Sequence, residues 1–172
     1  MSKCITDEYG HKFWYNSNNQ LHREDGPAIE CASGSNYWYL NGQRHREDGP
    51  AVESLYGCKE WYLNGKRHRE DGPAIEDANG NKSWWLNGKR HREDGPAIEY
   101  SDGYKAWYLN GKRHREDGPA REYPNGDKEW YLNGKYYTVE EYNKEISKRK
   151  NSCNGKVVEI DGKKYRLTEV AK

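Results

Sequence analysis

Five histidines, His22, His45, His68, His91 and His114, each stand three residues ahead of an aspartate, Asp25, Asp48, Asp71, Asp94 and Asp117. A histidine with a carboxylate in reach is the smallest kit for general acid–base chemistry, the carboxylate orienting the imidazole that moves the proton. The same residue types ligate metals, so a ladder of His and Asp is the second chemistry the pattern admits. Multiplicity argues against both. Catalysis needs one enclosed constellation with a nucleophile or a substrate pocket, whereas here every copy has the same neighbours and no repeated Ser, Thr or Cys beside the histidine. One imidazole per step of roughly 10 Å does not complete a coordination shell. The expectation is a protein without enzyme activity, cofactor or metal.

The histidines belong to a longer pattern. HREDGPA is written five times, from His22, His45, His68, His91 and His114, at a period of 23 residues. A fixed period of that length marks a stack of small units rather than one conventional core. From Trp61 the whole unit reads WYLNGKRHREDGPAIEDANGNKS, and it opens again at Trp84, Trp107 and Trp130. Trp38 fits the period, and Trp14 stands one residue further off. The stretch from Cys4 to Phe13 aligns with the second half of a unit, so the array starts in mid-unit. It fades after Gly134, where Tyr137 occupies the place of the next histidine.

Composition sets the limits on packing and partners. The 172 residues are 33% hydrophobic and 33% charged, with a mean hydropathy of -1.39, too few apolar residues for a conventional interior. Seven Trp and 15 Tyr on a strict period imply instead that each unit orders a thin layer against its neighbours. With 29 basic and 28 acidic residues the net charge is +1, and each KRHR run is followed at once by Glu and Asp, so no global field steers a polyanion. No run approaches a membrane span or a signal peptide, which predicts a soluble, cytoplasmic protein. Cys4, Cys31, Cys58 and Cys153 lack a CxxC pair and read as free thiols.

Within one unit, Ala74 to Asp77 and Lys82 to Leu86 are extended candidates joined by a turn carrying Asn79 and Gly80. Gly34, Gly57, Gly80, Gly103 and Gly126 hold the same place, as a turn needing positive φ requires. Asn87–Gly88 and its equivalents supply a second reversal, which leaves no room for a helix. Trp38, Trp61, Trp84, Trp107 and Trp130 form one predicted row and Leu40, Leu63, Leu86, Leu109 and Leu132 another, sharing a face because they stand two residues apart. Asp-Gly-Pro reads as a kinked path into the next strand, with Arg and His pairing to Glu or Asp nearby.

The prediction is therefore all-β: an elongated, single-layer antiparallel β-hairpin repeat array over residues 1–137, followed by a C-terminal cap over 138–172. In the cap, Thr138 and Glu141 form a capping box, with Val139, Tyr142 and Ile146 at helical spacing, giving a helix over about 138–150 that would cover a sheet edge. Around Asp161 and Gly162 the alternation predicts a hairpin over about 156–170.

The pattern Gly-x-Lys-x-Trp-Tyr-Leu-Asn-Gly-Lys on a 23-residue period resembles the MORN repeat family, more closely its bacterial and viral variants, over roughly residues 4–137. REYPNGDKEWYLNGKYY at 121–137 looks most like it. The resemblance implies one hairpin per repeat in a curved sheet, and a scaffold for protein partners. The chain departs from that family in lacking the usual glycine before Trp, as Lys82 and Ser83 show, and in HREDGPA replacing a shorter Gly-x-Gly connection. Lipid association, known for some members, is not expected from the balanced KRHRED runs. Arrays with HREDGPA-like segments are similar to those of phage and large-virus proteins, which implies a phage-encoded modulator of a host factor acting in the host cytoplasm.

The leading functional expectation is a non-enzymatic platform for a protein partner. Tyr39, Tyr62, Trp85, Tyr108 and Tyr131, with Arg46, Arg69, Arg92 and Arg115, are the candidate contacts, because Tyr, Trp and Arg anchor interfaces. Packing within the sheet is the competing role for the same residues. A second expectation is a binder of a small anionic, nucleotide-like ligand held between Trp or Tyr and Arg. A third is a structural protein that associates through its sheet edge. Nucleic acid is disfavoured because the acidic residues accompany each basic run.

Overall fold

The computed structural model describes residues 3–153, 157–160 and 163–166. Strand pairs follow one another along the chain and build a 13-stranded antiparallel sheet that does not close. Each unit contributes two short strands to it, such as Ile75–Glu76 and Lys82–Ser83, and a tip hairpin, Trp85–Leu86 with Lys89–Arg90.

Two turns fix this path. Asp77 and Asn81 close the first, with Gly80 at φ 82° donating back to the Asp77 carbonyl at 3.1 Å. Asn87 at φ 50° and Gly88 at φ 79° form the second, the left-handed pair that matches strand twist in a two-residue hairpin. Both reversals recur in every full unit, as the glycine spacing predicts.

The extended segment expected over Lys82 to Leu86 is not one strand. It breaks at Trp84, whose N–H donates to the Ala97 carbonyl at 2.9 Å while its own carbonyl accepts from His91 N–H at 3.1 Å. Trp84 thus joins the main sheet on one side and its tip hairpin on the other, because the HREDGP loop leaves between them. The strands at the two ends of the array, Lys12–Tyr15 and Lys128–Leu132, run unbroken through their tryptophans. Tip hairpins are tied to their successors by Arg69 N–H to the Trp85 carbonyl and Gly88 N–H to the Arg67 carbonyl.

Alternation sorts the side chains of the main sheet. Glu76, Lys82, Glu99 and Lys105 stand opposite one another on one side, an alternating ladder of charge. Ile75, Ser83, Ile98 and Ala106 face the other side in the same register. The buried layer is thin. It consists of Ala28, Ala51, Ala74, Ala97 and Ala120, all at 0% exposure, with Val52, Ile98, Tyr62 and Tyr108 beside them.

After Tyr137 the chain enters the helix Val139–Cys153 through the predicted capping box, in which Thr138 N–H donates to Glu141 Oε2 and Glu141 N–H to Thr138 Oγ1. The expected C-terminal hairpin is present as the antiparallel pair Val157–Ile160 and Lys163–Arg166. Its turn, Asp161 and Gly162, and the remaining residues of 156–170 lie outside the described residues. No helix among the described residues is long and apolar enough to cross a membrane.

Candidate interaction surface

The HREDGP segments explain their own composition. Arg69 lies over the Trp61 ring at 4.0 Å, donates from Nε to Asp71 at 2.9 Å, and from Nη1 to the Pro73 carbonyl and Glu76, both at 3.2 Å. Its guanidinium fills the space where a side chain on Gly72 would stand, since a Cβ there would lie 2.9 Å from Cζ. The same arrangement is built by Arg23, Arg46, Arg92 and Arg115 over Trp14, Trp38, Trp84 and Trp107. These arginines are only 20 to 23% exposed. The four expected to contact a partner, Arg46, Arg69, Arg92 and Arg115, thus direct Nε and Nη1 to groups of their own chain.

Histidine is likewise committed to the fold. His68 Nδ1 accepts the Asn87 amide of the next unit at 3.2 Å, which leaves the ring proton on Nε2, 3.6 Å from Glu70. Asp71 pairs with Arg69 and not with the histidine, so the His–Asp spacing in sequence does not become a dyad in space. Among the described residues no group of three His, Cys, Asp or Glu could hold a metal ion.

What the loops leave facing outward is acid. Glu24, Glu47, Glu70 and Glu93 are 82 to 83% exposed, and Asp25, Asp48, Asp71 and Asp94 are 83 to 85% exposed. Between neighbouring loops lie clefts floored by Trp and Leu. One is walled by Arg92 to Pro96 and His114 to Asp117 over Trp107 and Leu109. Others have Trp84 with Leu86, and Trp38 with Leu40, as floors. Each encloses about 640 to 660 Å³. Trp and Leu therefore share a face as the two-residue spacing predicts, and that face carries the clefts.

The aromatic candidates stand elsewhere. Tyr39, Tyr62, Trp85, Tyr108 and Tyr131 interleave with Arg44, Arg67, Arg90 and Arg113, each guanidinium lying 4.9 to 6.0 Å from two rings. Tyr62 and Tyr108 are 8% exposed. These arginines were not singled out from the sequence, although their place five residues after each aromatic is the spacing of a cross-strand pair around an Asn-Gly turn. Among these four arginines Arg67 alone has a carboxylate seven residues before it. Glu60 pairs with Arg67, but Tyr37, Ser83 and Ala106 stand at the equivalent place before Arg44, Arg90 and Arg113, and Glu129 pairs with Arg121, outside the series. A shallow pocket there is lined by three arginines, Arg90, Arg113 and Arg121, with Tyr104 and Tyr108 and one acidic residue, Asp102.

At the end of the array the surface is covered. Tyr142, 4% exposed, sends its hydroxyl to the fifth loop, where it donates to the Arg115 carbonyl at 3.0 Å and accepts from Gly118 N–H at 3.2 Å. Arg149 reaches Glu116 at 3.1 Å. Compared with known proteins, the chain matches no family model and no curated sequence.

Two predictions test the arginine arrangement. Gly72→Ala forces the Arg69 guanidinium off its position and should lower the unfolding free energy by about 1 to 3 kcal/mol, read from denaturant midpoints; an unchanged midpoint would refute the close approach. The second concerns acid. Hydrogen bonding from arginine, then its charge, holds the Asp48, Asp71 and Asp94 carboxyls below the usual carboxylate range. A depressed folded-state value means a stabilising contribution that is complete above the unfolded value near about 4 and disappears as pH falls through the folded one. The melting temperature should drop below about pH 4, and drop less in Asp71→Asn, as scanning calorimetry across that range will record.

Proposed function

We propose that this protein is a non-enzymatic interaction platform whose row of acidic, Trp/Leu-floored clefts binds a protein partner. The observation that carries the reading is a contrast among exposed residues within the chain. The outer turns read CASGS, SLYGC, DANGN, YSDGY and YPNGD, sharing only the glycine. Glutamates Glu24, Glu47, Glu70, Glu93 and Glu116 are identical in all five loops, and the first four are as exposed as any residue need be for contact. Their only contact within the loop is a histidine 3.6 to 3.7 Å away. A surface this exposed and uniform, held within the loop by one long histidine contact, fits a partner that reads it repeatedly.

The MORN resemblance supports the same class of role, and the HREDGPA likeness supports a phage-encoded modulator acting on a host factor in the cytoplasm. On this reading Tyr39, Tyr62, Trp85, Tyr108 and Tyr131 mainly stiffen the opposite face.

A second reading rests on the unbalanced centre of the Arg–aromatic ladder. Arg90 and Arg113, without the carboxylate that serves Arg67, would bind an aromatic monoanion or dianion of nucleotide type, in one copy.

Native mass spectrometry of the tagged protein, purified from cells holding its natural partners, tests the leading proposal. A mass increment of protein size is expected, reduced more than about tenfold in Glu70→Lys/Glu93→Lys, whose arginine arrangements stay intact; a bare chain overturns it. For the second reading, calorimetric titration with AMP should give about one equivalent, abolished in Arg113→Gln. No heat at millimolar AMP would dismiss it.

A further inference from the structure

The chain fills one of its own surfaces, and the filler is informative. The helix Val139–Cys153 stands where a sixth HREDGP loop would follow Trp130, and its Tyr142 closes against the fifth loop. Beneath it Leu132 falls to 1% exposure, whereas Leu40, Leu86 and Leu109 on the floors of the open clefts are only half-buried. The phenol hydroxyl satisfies two backbone groups at once, the Arg115 carbonyl and the Gly118 amide.

Those two groups recur in every loop, because HREDGPA is the same in each. In the cleft over Trp107 they are the Arg92 carbonyl and the Gly95 amide, both on its wall. Neither has a hydrogen-bond partner among the described residues. A cleft with an apolar floor, one donor and one acceptor on its rim suits a side chain that is an apolar ring ending in a hydroxyl, which can donate and accept together. The outer wall adds carboxylates, and in the self-docked case Arg149 meets one of them, Glu116.

We propose that the open clefts over Trp38, Trp84 and Trp107 each receive a tyrosine from a basic segment of a protein partner, its hydroxyl bridging the Arg carbonyl and Gly amide of the loop as Tyr142 does. This rests on the platform reading and gives its partner a chemistry. Neighbouring loops already wall these clefts, so the tyrosine enters as a side chain between them, with the cationic residues of its segment lying along the exposed glutamates. A second copy of the chain is a poor source, since its own Tyr142 is engaged in its own fifth loop.

The test uses the full-length protein labelled with nitrogen-15 and a blocked synthetic peptide of residues 138–152, which is short enough to be largely unfolded alone and so free to adapt. Titration should move the amide signals of Gly26, Gly72 and Gly95 in a saturable way and leave Gly118, already bonded, in place. The same peptide carrying Tyr142→Phe should bind at least about tenfold more weakly, the cost of about 1.4 kcal/mol for the lost hydroxyl bonds. Absent shifts at the three glycines at millimolar peptide, or equal binding of the phenylalanine peptide, overturn the tyrosine rule. If p-cresol reproduced the shifts with the peptide's affinity, the basic segment would be eliminated. A protein still captured by the native chain alongside a failed titration would sink this inference while the platform reading stood; loss of both would sink the platform.

Discussion

Everything in the array hangs on where five guanidinium groups rest. Each is pressed between a tryptophan ring and a glycine, and bonded to an aspartate, a glutamate of the charge ladder and a proline carbonyl. Solvent weakens the bond to the exposed aspartate, so the half-buried bonds to the glutamate and the proline carbonyl weigh more, and the stacked cation adds about 0.5 to 2 kcal/mol. In a conventional domain such terms are secondary to burial. Here the fully buried side chains are mostly alanines, so polar locking supplies what an aliphatic core would. Repetition then follows: Gly is required because the guanidinium approaches closely, Pro because its carbonyl accepts, Asp and Glu because they flank the fork, and Ala because the layer under Trp has no room.

This device divides the molecule electrostatically even though the net charge is +1. The guanidinium positive charge is drawn inward over Trp, and the second carboxylate of each loop is left outside. On the other side a separate arginine series lies between aromatic rings, where Glu60 pairs with Arg67 while Glu129 is taken by Arg121, outside the series. Around Glu129, burial works against ionisation but bonds from Tyr131 and Tyr123 and the Arg121 charge outweigh it, keeping the carboxyl below its ordinary range. A balanced composition therefore coexists with a carboxylate-lined cleft face, because sequence neighbours of opposite charge are sent in different directions.

Much of the fold was legible from local chemistry. The period, both turns, the Trp and Leu rows and the capping box each depend on residues within a few positions of one another, which spacing reveals. The break at Trp84 was not legible, since Lys82 to Leu86 alternates like an unbroken strand and only the departure of the loop divides its pairing. Nor was the fate of Arg46, Arg69, Arg92 and Arg115, because an arginine beside Glu and Asp reads equally as anchor or as brace until the Trp ring is seen beneath it. The Arg44 series was hidden for the opposite reason: its partners Tyr39 and Tyr62 sit five and 18 residues away, one within the unit and one in the next. Tyr142 reaches 27 residues back, beyond any local rule.

Stability and recognition in such an array cannot be varied independently. The loops that hold the arginines are also the cleft walls, and successive loops advance by two strands, about 10 Å. A ligand that engages one cleft gains little, because a single phenol and one exposed ion pair are weak contacts. A partner whose tyrosines repeat at a matching interval gains much more, since after the first engagement the next is intramolecular and benefits from a high effective concentration. The sheet and not the residue count sets that interval: the extra residue between Trp14 and Trp38 is taken up in the Asn16–Gln20 turn, and Arg23 still lies over Trp14 at 4.1 Å. The same strict repeat that lets a core-poor chain fold is thus what would make its surface selective, by distance rather than by any unique residue.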